Sequence, residues 1–83
     1  MLIAGNWKMN LKYEDILKLK DILTDFKLDN RVEMAILPQS PLLYSAQEYL
    51  SNYNIKVGAQ TCSSELRGAF TGDVSVEIIS DIG

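Results

Sequence analysis

Three short apolar runs, residues 2–7 (LIAGNW), 32–37 (VEMAIL) and 55–60 (IKVGAQ), constrain this chain most. They lack the polar alternation of half-solvated strands, and predict parallel strands covered on both faces. Between the first two, residues 12–27 place Ile16, Leu19, Leu23 and Phe26 at helical spacing, with Ile22 beside them and Glu14 and Lys18 paired on the polar side. After the second run, Ser40 is expected to cap a helix whose first residue is Pro41, with Leu42, Leu43, Ala46, Tyr49 and Leu50 as its buried stripe and residues 52–54 as its end. Residues 61–74 then form a loop too long for a mere connector, which suggests a functional one. Ser75 is expected to cap a short helix through Asp81, with Gly83 as a left-handed stop.

The order is strand, helix, strand, helix, strand, loop, helix: two and a half βα units, with right-handed crossovers expected. At 83 residues this is one small domain at most, marginal without a staple or a partner. A three-stranded parallel sheet has two unpaired edges and an uncovered face, and no edge proline or inward charge is evident to blunt them. Its natural context is a longer α/β sheet or a closed eight-stranded barrel, of which it would be about a third at the usual length of about 250 residues. Eleven acidic residues against eight basic ones, scattered along the chain, leave no basic patch for nucleic acid or an anionic membrane. The single cysteine, Cys62, excludes an internal disulfide, and the absence of histidine removes the commonest metal ligand. A cytoplasmic, metal-free protein is expected, with nothing in the sequence directing export or membrane insertion.

Chemistry concentrates in AGNWKMN, residues 4–10, where Asn6 and Lys8 lie two positions apart as an apolar strand meets a turn. Both side chains can therefore point the same way, which makes a site for an anionic oxygen. From spacing alone, the commoner reading is a capped turn and a solvated charge. The run NWKMN, however, resembles the first-strand signature of the triosephosphate isomerases. The segment GAFTG at residues 68–72, followed by Asp73 and by Ser75 at a helix start, is similar to the close of that family's third loop. A weaker correspondence is Ala59-Gln60-Thr61-Cys62, which resembles the family's third-strand ending. Pro38 is similar to the first of a proline pair after strand two, from which Gln39 and Ser40 depart.

The resemblance covers the whole chain and implies a (β/α)₈ TIM barrel, with residues 1–83 as the N-terminal part of its single domain, roughly the first three βα units. It implies a cofactor-free cytoplasmic homodimer of glycolysis and gluconeogenesis that interconverts dihydroxyacetone phosphate and glyceraldehyde 3-phosphate through an enediolate. Lys8 would stabilise the enediolate oxygen and help hold the phosphate, and Asn6 would donate a hydrogen bond to the substrate and help orient Lys8. The loop of residues 61–74 would insert into the partner subunit, with Phe70, Thr71, Gly72, Asp73 and Gln60 at the dimer interface and Thr71 near the neighbour's Asn6. Gln60 and Cys62 would be packed side chains. The family's electrophile and base are a histidine after strand four and a glutamate after strand six. Glu14, Glu33, Glu65 and Glu77 offer no substitute for that base. The chain alone is therefore expected to be inactive, and two further readings are a non-catalytic self-associating fragment and a complementing half of a split barrel.

Overall fold

Strands β1 (Leu2–Asn6), β2 (Glu33–Leu37) and β3 (Ile55–Val57) form one parallel sheet in the order β1-β2-β3. The computed structural model describes residues 1–25 and 31–83. Helix α1 (Tyr13–Thr24) joins β1 to β2; a 3₁₀ turn (Ser40–Leu42), helix α2 (Leu43–Leu50) and a second 3₁₀ turn (Ser51–Tyr53) join β2 to β3; helix α3 (Val76–Ile82) follows the long loop. The fold class is thus the expected one, α/β with three parallel βα units as in the N-terminal part of a TIM barrel.

Local chemistry explains the ends of these elements. Before α1, the Lys12 N–H donates to Asp15 Oδ2 at 2.7 Å, and the Asp15 N–H donates to the Lys12 carbonyl at 3.0 Å. The carboxylate thus lies in the first turn, where the helix dipole favours it. The expected extension of α1 through Phe26 and Lys27 lies outside the described residues. Glu14 and Lys18 close no ion pair among the described residues, consistent with the small gain available to such solvated pairs. Ser40 does not cap α2. It is the first residue of the 3₁₀ turn, Gln39 precedes it as the cap without a side-chain bond, and Pro41 is second. Asn54 stops the next turn in the left-handed region, at φ 62°. Ser75 does cap α3, its Oγ accepting the Ile78 N–H at 3.4 Å, and Gly83 ends that helix at φ 136°.

The core lies on one face of the sheet, where Ile16 and Leu23 of α1 and Ala46 and Leu50 of α2 meet Ile36 and Ile55. Register fixes which strand residues share that face: Ile3 pairs with Met34, which pairs with Ile55, and Gly5 pairs with Ile36, which pairs with Val57. Alternation sends Leu2, Ala4 and Asn6, Glu33, Ala35 and Leu37, and Lys56 to the opposite face. That second face is open, as expected of a three-stranded sheet by itself, although the unalternating apolar runs predict cover on both sides. Leu2, Ala4 and Asn6 on that face are exposed, Leu2 at 60%, and β1 is uncovered on its core side as well, with Ile3 at 48%. The open face also carries a charge pair that sequence pattern did not reveal, Lys56 Nζ to Glu33 Oε1 at 3.7 Å. Lys56 therefore puts a charge in the middle of edge strand β3, a common device against edge pairing. No helix among the described residues is long and apolar enough to cross a membrane.

Candidate active site

The first strand ends sooner than its apolar run, at Asn6, so strand alternation does not carry through to Lys8. Lys8 instead occupies a turn with φ 52°, in the left-handed region that non-glycine residues rarely adopt. Asn6 builds the turn: its Oδ1 accepts the Lys8 N–H at 2.8 Å, an Asx-type contact that uses the amide's acceptor and not its N–H donors. Behind it, the Trp7 N–H donates to the Leu37 carbonyl at 3.0 Å and continues the β1–β2 ladder, while the Asn10 N–H closes on the Trp7 carbonyl at 3.1 Å. Leu11 is left-handed as well, at φ 69°. The corner thus turns away from the sheet within a few residues. It presents an exposed ammonium and an exposed amide at the C-terminal rim of the strands, where barrel enzymes place their chemistry.

Gln60 reaches this corner from the end of β3. Its Nε2 donates to the Lys8 carbonyl and to the Leu37 carbonyl, both at 2.9 Å. Asn6, Lys8 and Gln60 are therefore together, but Gln60, which the family resemblance implies is packed, is exposed in this chain. Cys62, also expected to be packed, is a free exposed thiol. Glu33 lies at the opposite end of β2 from Leu37, too far along the strand to serve this corner.

The long loop is closed at its base by the Ser63 N–H on the Val74 carbonyl at 2.7 Å. At its tip the Asp73 N–H donates to the Phe70 carbonyl at 3.2 Å, and Gly72 between them has φ 85°. A positive φ at the third turn position alone is the mark of a type II turn, which explains a glycine there. The Phe70 ring folds back over Gly68, where an added Cβ would sit 2.7 Å from its Cε2, yet the residue remains 48% exposed. Thr71 and Asp73 are exposed, and no hydrogen bond joins them to Asn6 or Lys8 among the described residues. A concavity of about 790 Å³ runs between this loop and α3 past Leu43, Leu66, Phe70 and Ile78, and does not include Asn6 or Lys8. No cluster of potential metal ligands occurs among the described residues.

Two features escaped sequence reasoning. The left-handed angle falls on a lysine, with no glycine to announce it, and the double grip of Gln60 joins residues far apart in the chain. The Asn-x-Lys spacing was the available signal for the first, since asparagine side chains commonly fold onto the N–H two residues on.

Comparison with known proteins covers the chain as a whole. The family model of triosephosphate isomerase matches residues 1–83. A triosephosphate isomerase of Rhizobium etli is 39% identical over 82 residues, covering 96% of this chain and 32% of the relative. One from Clostridium acetobutylicum is 37% identical over 82 residues, covering 99% and 33%. One from Xanthobacter autotrophicus is 34% identical over 85 residues, covering 100% and 34%. The chain spans about a third of the length of these curated relatives.

Proposed function

Because the chain belongs to the triosephosphate isomerase family, we propose that its β1 corner supplies the anion-stabilising part of a site that interconverts dihydroxyacetone phosphate and glyceraldehyde 3-phosphate. One observation carries this reading: Lys8 is held in a left-handed conformation at the C-terminal rim by the Asn6 side chain. Costly backbone angles persist where the surroundings over-determine them, and such places are commonly functional. The isomerisation moves a carbon-bound proton and leaves negative charge on an enediolate oxygen. The Lys8 ammonium stabilises that oxygen and the substrate phosphate, and the Asn6 amide donates to the substrate oxygens.

The proton transfer itself needs groups these residues do not supply. The sequence contains no histidine, and Glu33 stands at the wrong end of its strand. In this reading residues 1–83 form the first part of a single barrel domain, and the glutamate base and neutral histidine come from later strands. The loop of residues 61–74 packs on a second subunit through Phe70, Thr71, Gly72 and Asp73, supported by its clamped base, its type II tip and its exposed ring. The enzyme would act in the cytoplasm, in glycolysis and gluconeogenesis. The open face and exposed β1 also favour a narrower reading, in which the chain is a complementing part that becomes active when further strands cover it.

A chimera tests the central claim: residues 1–83 replace the matching third of the Rhizobium etli relative. Lys8→Ala in that chimera is expected to lower kcat by at least about 100-fold, the scale for losing one preorganised oxyanion donor. The thermal transition should change little. A near-normal rate would reduce Lys8 to a surface charge.

A further inference from the structure

Lys8 has both of its main-chain polar groups held by carboxamide side chains: its N–H by Asn6 Oδ1 at 2.8 Å and its carbonyl by Gln60 Nε2 at 2.9 Å. The second Gln60 bond, to the Leu37 carbonyl, lands on the oxygen that also accepts the Trp7 N–H. Three strand ends therefore meet at one junction: Trp7 follows β1, Leu37 closes β2 and Gln60 follows β3. A primary amide has two N–H donors, and here each can serve a different carbonyl. The assignment of nitrogen and oxygen is unambiguous, because only the nitrogen can donate to two carbonyl oxygens.

We propose that Gln60 is a positioning residue for Lys8, locking the lysine's left-handed main chain to the ends of β2 and β3 so that the ammonium is presented at a fixed point on the rim. No shorter or donorless side chain can do this. Asparagine is one methylene short of a reach that spans both carbonyls, leucine and methionine donate nothing, and glutamate substitutes acceptors where donors are required. The junction also explains how a residue with an unfavourable φ stays in place although Asn6, Lys8 and Gln60 are all exposed to solvent. Lys8 is the charged residue in contact with Gln60, through its main-chain carbonyl. The functional meaning of the lock rests on Lys8 being the anion-stabilising group; its geometry does not.

The test reads Lys8 directly, without turnover. In the full 83-residue chain labelled with nitrogen-15 and carbon-13, Gln60→Leu is expected to shift the carbonyl carbons of both Lys8 and Leu37. It should also move the Lys8 amide–Hα coupling away from its left-handed value, while the signals of α2 stay in place. Gln60→Glu supplies a pH readout that loss of packing cannot imitate. Its protonated carboxyl donates one bond, and its carboxylate faces two carbonyl oxygens, which raises its pKa above the ordinary value of about 4.3. The Lys8 signals of Gln60→Glu should therefore approach those of the unmodified chain in acid, and depart from them as pH rises through that raised pKa. Unmoved Lys8 and Leu37 carbonyls in Gln60→Leu would overturn the proposal, as would a Gln60→Glu chain that matches Gln60→Leu at every pH. Should Gln60→Leu fail to fold, the Gln60→Glu titration decides alone. If Gln60 proves to hold Lys8 while Lys8→Ala leaves the chimera's turnover intact, the lock stands and the catalytic reading falls.

Discussion

Lys8 concentrates cost and function in one residue. A left-handed angle on a non-glycine residue costs on the order of 1–3 kcal/mol, and a single neutral hydrogen bond returns about 1 kcal/mol net. The bonds from Asn6 and Gln60 are therefore of the size needed to offset the angle at φ 52°, and neither alone has much margin. A direct comparison follows from glycine's freedom at positive φ. In the chimera, Lys8→Gly should be more stable to urea than Lys8→Ala by about 1 kcal/mol, because both lose the ammonium and only alanine keeps the steric conflict. Equal midpoints would mean that the left-handed angle is not held in solution. Gly68 combines both constraints, a φ of 140° and a ring in the way, since an added Cβ there would sit 2.7 Å from Phe70 Cε2.

Helices α1 and α2 meet along two parallel strips, one apolar and one aromatic-polar. Beside the buried Ile16 and Leu23, the Tyr13 hydroxyl donates to the Tyr49 hydroxyl at 3.0 Å, with the rings edge to face at 6.0 Å between centroids. Lys20 Nζ lies 5.4 Å from the centre of the Tyr49 ring, and Thr24 Oγ1 shares a hydrogen bond with Tyr53 at 3.2 Å. The Tyr49 hydrogen bond raises the Tyr13 pKa above its ordinary value, with desolvation and the neighbouring phenol adding to the effect. The folded state therefore favours neutral Tyr13, so its contribution is complete below the ordinary pKa of about 10 and is lost as pH rises through the raised one. Thermal melts taken upward from about pH 9 should show a steeper alkaline loss for the chain than for Tyr13→Phe. Superimposable pH profiles would deny the hydroxyl contact any role in the seam. These helices were legible beforehand because Ile16, Leu19 and Leu23, and then Leu43, Ala46 and Leu50, repeat with the helical period, and α3 was legible because Ser75 and Gly83 carry terminus chemistry. The tyrosine seam was not, since its partners come from different elements. The exposure of Cys62 was also hidden, because a residue type reports what a surface wants and not whether the covering elements are there; the open edge at β1 was legible from the number of strands. Asn6 and Lys8 were legible as a motif, but the left-handed turn and its Gln60 lock needed coordinates.

At the scale of the whole molecule, the open sheet face governs behaviour. The chain exposes 6180 Å², whereas a compact protein of its mass exposes about 5,000 Å². Its radius of gyration is 13.7 Å, against about 12 Å expected for a compact chain of this length. The surplus has an evident source in Leu2, Ile3 and the rest of β1, which parallel strands in α/β barrels would bury on both sides. Against edge-to-edge pairing the face sets Lys56, which holds Glu33 at 3.7 Å. Surface pairs of this kind add little stability, so the value of Lys56 lies in forbidding a dry partner, not in strengthening the fold. Sedimentation of the 83-residue chain over rising concentration should therefore show an increasing average mass, and Lys56→Val should shift that association to lower concentration. A polypeptide carrying the remaining two thirds of the Rhizobium etli relative should compete with self-association, giving a discrete one-to-one complex as it covers the open face. A chain that stays monomeric at every concentration, with and without Lys56, and ignores the complementing polypeptide would show that the uncovered face is stable in water. The barrel reading of the fragment would then lose its physical basis.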